Sequence, residues 1–117
     1  MIGVDLENNS RFEHYSEQGL TRIFTEAELK YAREFENWQE HLTGFFCVKE
    51  AFVKVVDEDI DYLQIEVLHK ETGKPYINLT PYLKRIFRQK AVQDVDVSIS
   101  HCKQFSTAVV ELVCFAD

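Results

Sequence analysis

Apolar and polar residues change period several times along this chain, and each change marks an element. Ile2 to Leu6 is a short apolar run around Asp5, the pattern of a strand that ends at or near a polar site. At Thr25 the period lengthens, because Thr25-Glu26-Ala27-Glu28 has the Thr-x-x-Glu form of a capping box and Leu29, Ala32 and Phe35 then share one stripe. A second helix is predicted from Thr43-Gly44, with Phe45, Val48, Ala51, Phe52 and Val55 at three-and-four spacing, and Phe46, Glu50 and Lys54 on a neighbouring face. Leu63, Ile65 and Val67 alternate with Gln64, Glu66 and Leu68, which predicts a strand. Gly73-Lys74-Pro75 turns the chain into another strand around Tyr76-Ile77-Asn78-Leu79. Pro81 opens a third helix, with Leu83, Ile86 and Phe87 inward and Lys84, Arg85 and Arg88 outward. Val95, Val97 and Ile99 alternate up to His101, and a last apolar strand runs from Thr107 to Phe115.

The order is therefore strand, helix, helix, strand, strand, helix, strand, strand. Hairpin-type connections with few parallel crossovers define an α+β protein whose mainly antiparallel sheet packs against its long helix. With 117 residues, 45% of them hydrophobic, the chain has apolar material for one core, so residues 1–117 are expected to form a single domain. A net charge of −7 argues against a general nucleic-acid binder, which needs an excess of Lys and Arg to displace counterions. Charge is uneven, with Asp57, Glu58, Asp59 and Asp61 in one run and Lys84, Arg85, Arg88 and Lys90 in another; solvated surface is the ordinary account of both. Cys47, Cys102 and Cys114 are widely spaced and form no Cys-x-x-Cys pair, as expected of reduced thiols. No apolar run approaches the roughly 20 residues that cross a bilayer, and a basic-then-apolar leader is missing from the start. A cytoplasmic protein with no membrane association is expected.

Three carboxylates fall in unusual places: Asp5 inside an apolar strand, Glu7 two residues on, and Glu50 within an otherwise apolar helix. Strand alternation puts Asp5 and Glu7 on one side, so both can face one hard cation. With Glu50 opposite, the three would supply oxygen ligands and leave positions for waters and a phosphate, the usual way of holding Mg2+. Lys49-Glu50 with Lys54 joins a carboxylate to cations, a combination that can hold a metal with one member and a phosphate oxygen with another. The competing account is a surface ion pair between Glu50 and Lys54, with Asp5 capping a turn. His101 stands at a strand exit, where it can serve as a ligand contact or as a structural histidine.

These segments resemble a family. Gly3-Val4-Asp5-Leu6-Glu7, Phe46-Cys47-Val48-Lys49-Glu50-Ala51-Phe52-Val53-Lys54 and Ser98-Ile99-Ser100-His101 look like the ordered motifs of 4′-phosphopantetheinyl transferases. Arg22 to Leu29 and Gly73-Lys74-Pro75-Tyr76 are lesser matches, so the resemblance spans nearly the whole chain. Its length is similar to that of the short holo-acyl-carrier-protein synthases, which are homotrimers with active sites between subunits. The resemblance implies a Mg2+-dependent transfer of phosphopantetheine from coenzyme A to a serine of an apo acyl carrier protein, with release of 3′,5′-ADP. It matches Asp5 and Glu50 to the metal carboxylates, with Glu7 closer to a third acidic ligand of the larger branch. It matches Lys54 and His101 to coenzyme A phosphate contacts, with Lys49 included in the coenzyme-binding set, and places Gly73, Lys74 and Pro75 beside the nucleotide. On this resemblance Glu50 and Lys54 are expected to be the catalytic pair, with either Glu50 or a water on the metal taking the serine proton. Arg11 resembles a residue that docks the acidic carrier, and Arg22 and the basic helix face are further docking candidates. Phe45 stands where short members usually have arginine, and Val55-Val56-Asp57-Glu58 replaces a glycine-containing loop. A catalytically silent relative acting as a binding or scaffold subunit is the alternative.

Overall fold

Gly3 sets a close approach between the first strand and the long helix. A Cβ there would lie 2.2 Å from the carbonyl oxygen of Ala51, so only glycine lets the first strand lie against the long helix at this point. In the computed structural model, which describes residues 1–116, the elements run β1 (Ile2–Asn8), α1 (Glu17–Thr21), α2 (Glu26–Ala32), α3 (Trp38–Val56), a 3-10 turn (Tyr62–Gln64), β2 (Val67–His69), β3 (Pro75–Ile77), α4 (Pro81–Gln89), β4 (Val92–His101) and β5 (Phe105–Cys114). The three long strands form an antiparallel sheet in the order β1-β5-β4, and β2 and β3 form a separate hairpin. The expected α+β architecture, an antiparallel sheet packed on a long helix, is thus observed.

The core lies between α3 and the inner face of this sheet. Phe45, Val48, Ala51 and Phe52 of α3 are at most 1% exposed, as are Ala108 and Val110 of β5. α3 ends where Asp57 turns left-handed at φ 60° while its N–H still donates to the Val53 carbonyl.

Three local expectations are corrected, and one further element, α1, is added. α3 begins at Trp38 rather than at Thr43-Gly44, because half-buried Trp38 and buried Leu42 continue its apolar stripe backwards through an apparent start signal. α2 stops at Ala32, so Phe35 lies beyond its end and is 37% exposed, its ring stacked on His41 instead of entering the core. α1, capped by the Ser16 hydroxyl on the Gly19 N–H, has too few apolar residues to show a period. Leu63 and Gln64 form part of a 3-10 turn rather than a strand, for two reasons. The Asp61 carboxylate accepts from the Leu63 N–H, and the carbonyls of Tyr62 and Ile65 accept from a buried lysine, which leaves them unavailable to a neighbouring strand.

Candidate active site

α3 runs outward along one face, from buried Phe46 through half-buried Glu50 to exposed Lys54. The Gly3 contact brings β1 against this face, and Asp5, two residues on, points to the same side. Lys54 Nζ donates to Asp5 Oδ1 at 2.9 Å and to the Val4 carbonyl at 3.2 Å. The hydrogen bond from Lys54 to Asp5 holds the ammonium pKa above its ordinary value; the charges of Asp5 and Glu50 add to this and desolvation opposes it. Glu50 Oε1 accepts from the Tyr62 hydroxyl. The pairing of Glu50 with Lys54 one turn later is therefore replaced by two contacts made to other elements.

Glu7 shares the side of Asp5, yet both its oxygens are committed: Oε1 accepts from the Asn8 N–H at 3.2 Å and Oε2 from Arg11 at 2.9 Å. The Arg11 guanidinium lies 4.5 Å from the Phe46 ring centroid, a cation–π contact that holds it over α3. Among the described residues no group of three His, Cys, Asp or Glu side chains could hold an ion. The expected three-carboxylate cage is thus not assembled; Glu7 is paired with Arg11, and Asp5 with the more exposed Lys54. Asp5 and Glu50 still suit Mg2+ as hard oxygen donors. Both carboxylates act on the one Lys54 ammonium, which marks a place favourable to a cation, and two carboxylates completed by water and phosphate oxygens is a common Mg2+ arrangement. Beneath them, the Cys47 thiol is pushed up to about 12 by burial and by Asp5 and Glu7, so it is no nucleophile.

Lys49 corrects the sequence expectation. Rather than facing a coenzyme, it is fully buried and its ammonium donates to Glu28 Oε1 at 2.9 Å, the Tyr62 carbonyl at 2.9 Å and the Ile65 carbonyl at 2.7 Å. All three of its hydrogens are used, which leaves none for a phosphate. Glu28 also accepts from the Val67 and Thr25 N–H groups. Burial pushes the Glu28 carboxyl up and the Lys49 ammonium down, and each partner's charge opposes the shift of the other.

A second set of residues gathers near the N-terminal half of α3. Gly73, Pro75 and His101 line a cavity of about 150 Å3 with Tyr31, Glu40, His41, Phe45, His69 and Ile99. His101 Nδ1 is 3.0 Å from Glu40 Oε1. His69 stacks on Tyr31 with centroids 3.8 Å apart, and burial lowers the pKa of both His69 and His41. Lys74 is outside the cavity lining; its ammonium pairs with Asp96 at 3.0 Å. Glu40 and Glu50 are ten residues apart on one helix, which separates the cavity from the carboxylates by roughly 15 Å along its axis. Arg11 and Arg22 are exposed, as are Lys84, Arg85 and Arg88 on the outer face of α4.

Sequence reasoning did not single out Tyr62, Glu40 or Glu28 for the site. Glu28 carried a signal as the last residue of the capping box, which the structure confirms, but its second bond to Lys49 spans 21 residues of sequence. Tyr62 and Glu40 carried none, because each acts on a residue of a different element.

The chain belongs to the 4′-phosphopantetheinyl transferase superfamily, whose sequence profile matches residues 1–110. This is the class of transferase that the motifs resembled. Among its relatives, the holo-[acyl-carrier-protein] synthase of Caldanaerobacter subterraneus subsp. tengcongensis is 34% identical over 114 residues, 92% of this chain and 90% of that protein. The Helicobacter pylori holo-[acyl-carrier-protein] synthase, solved in complex with coenzyme A, superposes with a TM-score of 0.82 at 26% identity, covering 97% of this chain and 100% of that one. A Bacillus anthracis holo-(acyl-carrier-protein) synthase in complex with CoA (3′,5′-ADP) gives 0.77 at 31% identity, covering 95% and 93%.

Proposed function

We propose that this protein is a cytoplasmic holo-[acyl-carrier-protein] synthase that moves 4′-phosphopantetheine from coenzyme A to a serine of an apo acyl carrier protein and releases 3′,5′-ADP. The observation that carries the reading is the convergence of Asp5, Glu50 and Lys54 from two elements onto one solvent-facing patch. Asp5 and Glu50 would hold Mg2+, which when bound neutralises negative charge on the pyrophosphate. Lys54, 53% exposed at its side chain, is free to exchange Asp5 for a phosphate oxygen. Glu50 accepts the proton that the serine hydroxyl must lose as it attacks the β-phosphate, since the neutral hydroxyl is a weak nucleophile. The cavity of Gly73, Pro75 and His101 takes the nucleotide end of coenzyme A, with Glu40 orienting the His101 ring. No described helix is long and apolar enough to cross a membrane.

The separation between that cavity and the carboxylates supports a homotrimer, in which one subunit's Asp5 and Glu50 face a neighbour's His101. The outer face of the long sheet supports it too: Ile2, Val4 and Leu6 of β1 are 67%, 55% and 64% exposed, and Val4 pairs with exposed Val109 of β5. An apolar stripe of this kind is typical of a surface that another chain covers, and a second copy of this chain is the occupant proposed. Docking of the acidic carrier falls to Arg11, Arg22 and the Lys84, Arg85 and Arg88 face, whose local charge offsets the repulsion of the overall −7.

The test is mass spectrometry of an apo carrier protein incubated with the chain, coenzyme A and Mg2+. One added phosphopantetheine is expected, and Glu50→Gln is expected to lose both transfer and Mg2+ binding while remaining folded. A carrier of unchanged mass across several carriers would favour the silent-relative reading instead.

A further inference from the structure

Tyr62 is tied down at three separate points. Its backbone carbonyl accepts from Lys49 Nζ at 2.9 Å, inside the core. Its ring packs edge-on against Phe46, with centroids 5.5 Å apart at 64°. Its hydroxyl donates to Oε1 of Glu50, at the edge of a cavity of about 450 Å3 that both residues line with Val53, Asp59, Ile60 and Asp61. Lys49 and Glu50 are consecutive on α3, so one residue fastens the main chain of the 3-10 turn from within while the next receives that turn's side chain at the surface. The Arg11 guanidinium, 4.5 Å from the Phe46 ring centroid, also packs on the ring that Tyr62 meets.

These contacts hold Glu50 in a way that its own helix does not. A half-buried glutamate on a helix, unless held by a neighbour, samples several rotamers, and fixing it costs entropy each time it must act. A phenol donating to one carboxylate oxygen removes that freedom beforehand and leaves Oε2, which no hydrogen bond among the described residues engages. We propose that Tyr62 is a positioning residue for the transfer reaction, its hydroxyl presetting the Glu50 carboxylate for the cation and for the serine proton. The proposal rests on the functional reading above, since Glu50 must take part for its orientation to matter.

Two variants separate the hydroxyl from the ring. Tyr62→Phe keeps the packing on Phe46 and the carbonyl held by Lys49; Tyr62→Ala removes the packing as well. With coenzyme A, an apo carrier protein and MgCl2, Tyr62→Phe is expected to lower kcat about tenfold and to raise the half-saturating MgCl2 concentration several-fold, the size expected of one hydrogen bond to a charged group. KM for coenzyme A is expected to stay at its wild-type value, and the melting temperature to fall by about 5 °C at most. A second readout needs no turnover. With tyrosine labelled at the ζ carbon, and the Tyr62 resonance assigned as the one absent from Tyr62→Phe, that resonance is expected to move in Glu50→Gln and on adding MgCl2 to the wild type. A Tyr62→Phe enzyme with wild-type kcat and MgCl2 dependence, alongside a defective Tyr62→Ala, would reduce Tyr62 to a packing residue and overturn the proposal. So would a resonance indifferent to both Glu50→Gln and MgCl2. Should the wild type transfer nothing, the functional reading fails on its own, and the labelled resonance still decides whether Tyr62 presets Glu50.

Discussion

Replacing Lys49 with methionine keeps the side chain's length and removes the ammonium from the core. Glu28 Oε1 and the carbonyls of Tyr62 and Ile65 lose their donor together. Breaking a buried ion pair by removing one partner costs about 3–5 kcal/mol, and the orphaned carbonyls keep the loss from the lower end of that range. Against a total stability on the order of 5–15 kcal/mol for a domain, a loss of about 4 kcal/mol lowers the melting temperature by roughly 15 °C at this chain length. Urea unfolding followed by circular dichroism at pH 7.5 measures it. The loss depends on pH in a definite direction. Burial already raises the Glu28 pKa above its ordinary 4.5, and without Lys49 the largest opposing influence is gone. The folded variant then retains a proton that the unfolded chain has released, so its stability falls as pH rises above about 4.5. The gap to wild type therefore widens from pH 5 to pH 8. Adding Glu28→Gln to Lys49→Met is expected to recover about 1–2 kcal/mol, since no buried charge remains. A Lys49→Met protein within 1 kcal/mol of wild type, or a gap that narrows as pH rises, would refute the claim that this pair is ionised and structural.

Gly3→Ala places a methyl 2.2 Å from the Ala51 carbonyl oxygen, so β1 must move off α3; a loss of about 1–3 kcal/mol is expected in urea unfolding, with weaker transfer because Asp5 moves along with the strand. His69 and His41 have lowered pKa values, chiefly through burial, so the unfolded chain binds protons that the native state refuses as pH falls below about 6.5. Their contribution is whole above that value and is lost as pH falls through their lowered native values; His69→Gln should flatten the decline of melting temperature on the acid side, and a slope equal to wild type would contradict it. Val4→Asp, on the exposed apolar face of β1, is expected to shift the protein to a monomer in sedimentation velocity and to abolish transfer without unfolding the chain. An unchanged sedimentation coefficient would remove this face from the proposed trimer.

Elements with a sustained period were legible from residue order alone. α4 and the hairpin of β4 and β5 follow their apolar spacing, and the carboxylates at Asp5 and Glu50 stood out because charge interrupted apolar stripes. What escaped were contacts between elements. Lys49 and Glu50 are indistinguishable in the sequence as members of one charged pair, yet one is fully buried and the other reaches solvent, because α3 turns about 100° between them. The strand predicted across Leu63 and Gln64 failed for the same reason. Its alternation was genuine, but the Lys49 ammonium, 13 residues back from Tyr62, takes main-chain acceptors that a neighbouring strand would need. Glu7 was correctly placed on the side of Asp5; its partner Arg11 comes from the turn beyond β1, where alternation gives no information.

The adjacency of Lys49 and Glu50 also acts as a registration mark for the helix that carries them. Deleting one residue between Trp38 and Lys49 would rotate everything downstream by about 100° relative to the upstream packing, sending the Glu50 carboxylate inward and Lys49 out of reach of Glu28. Deletions in this helix should therefore cost both the buried ion pair and the exposed carboxylate at once.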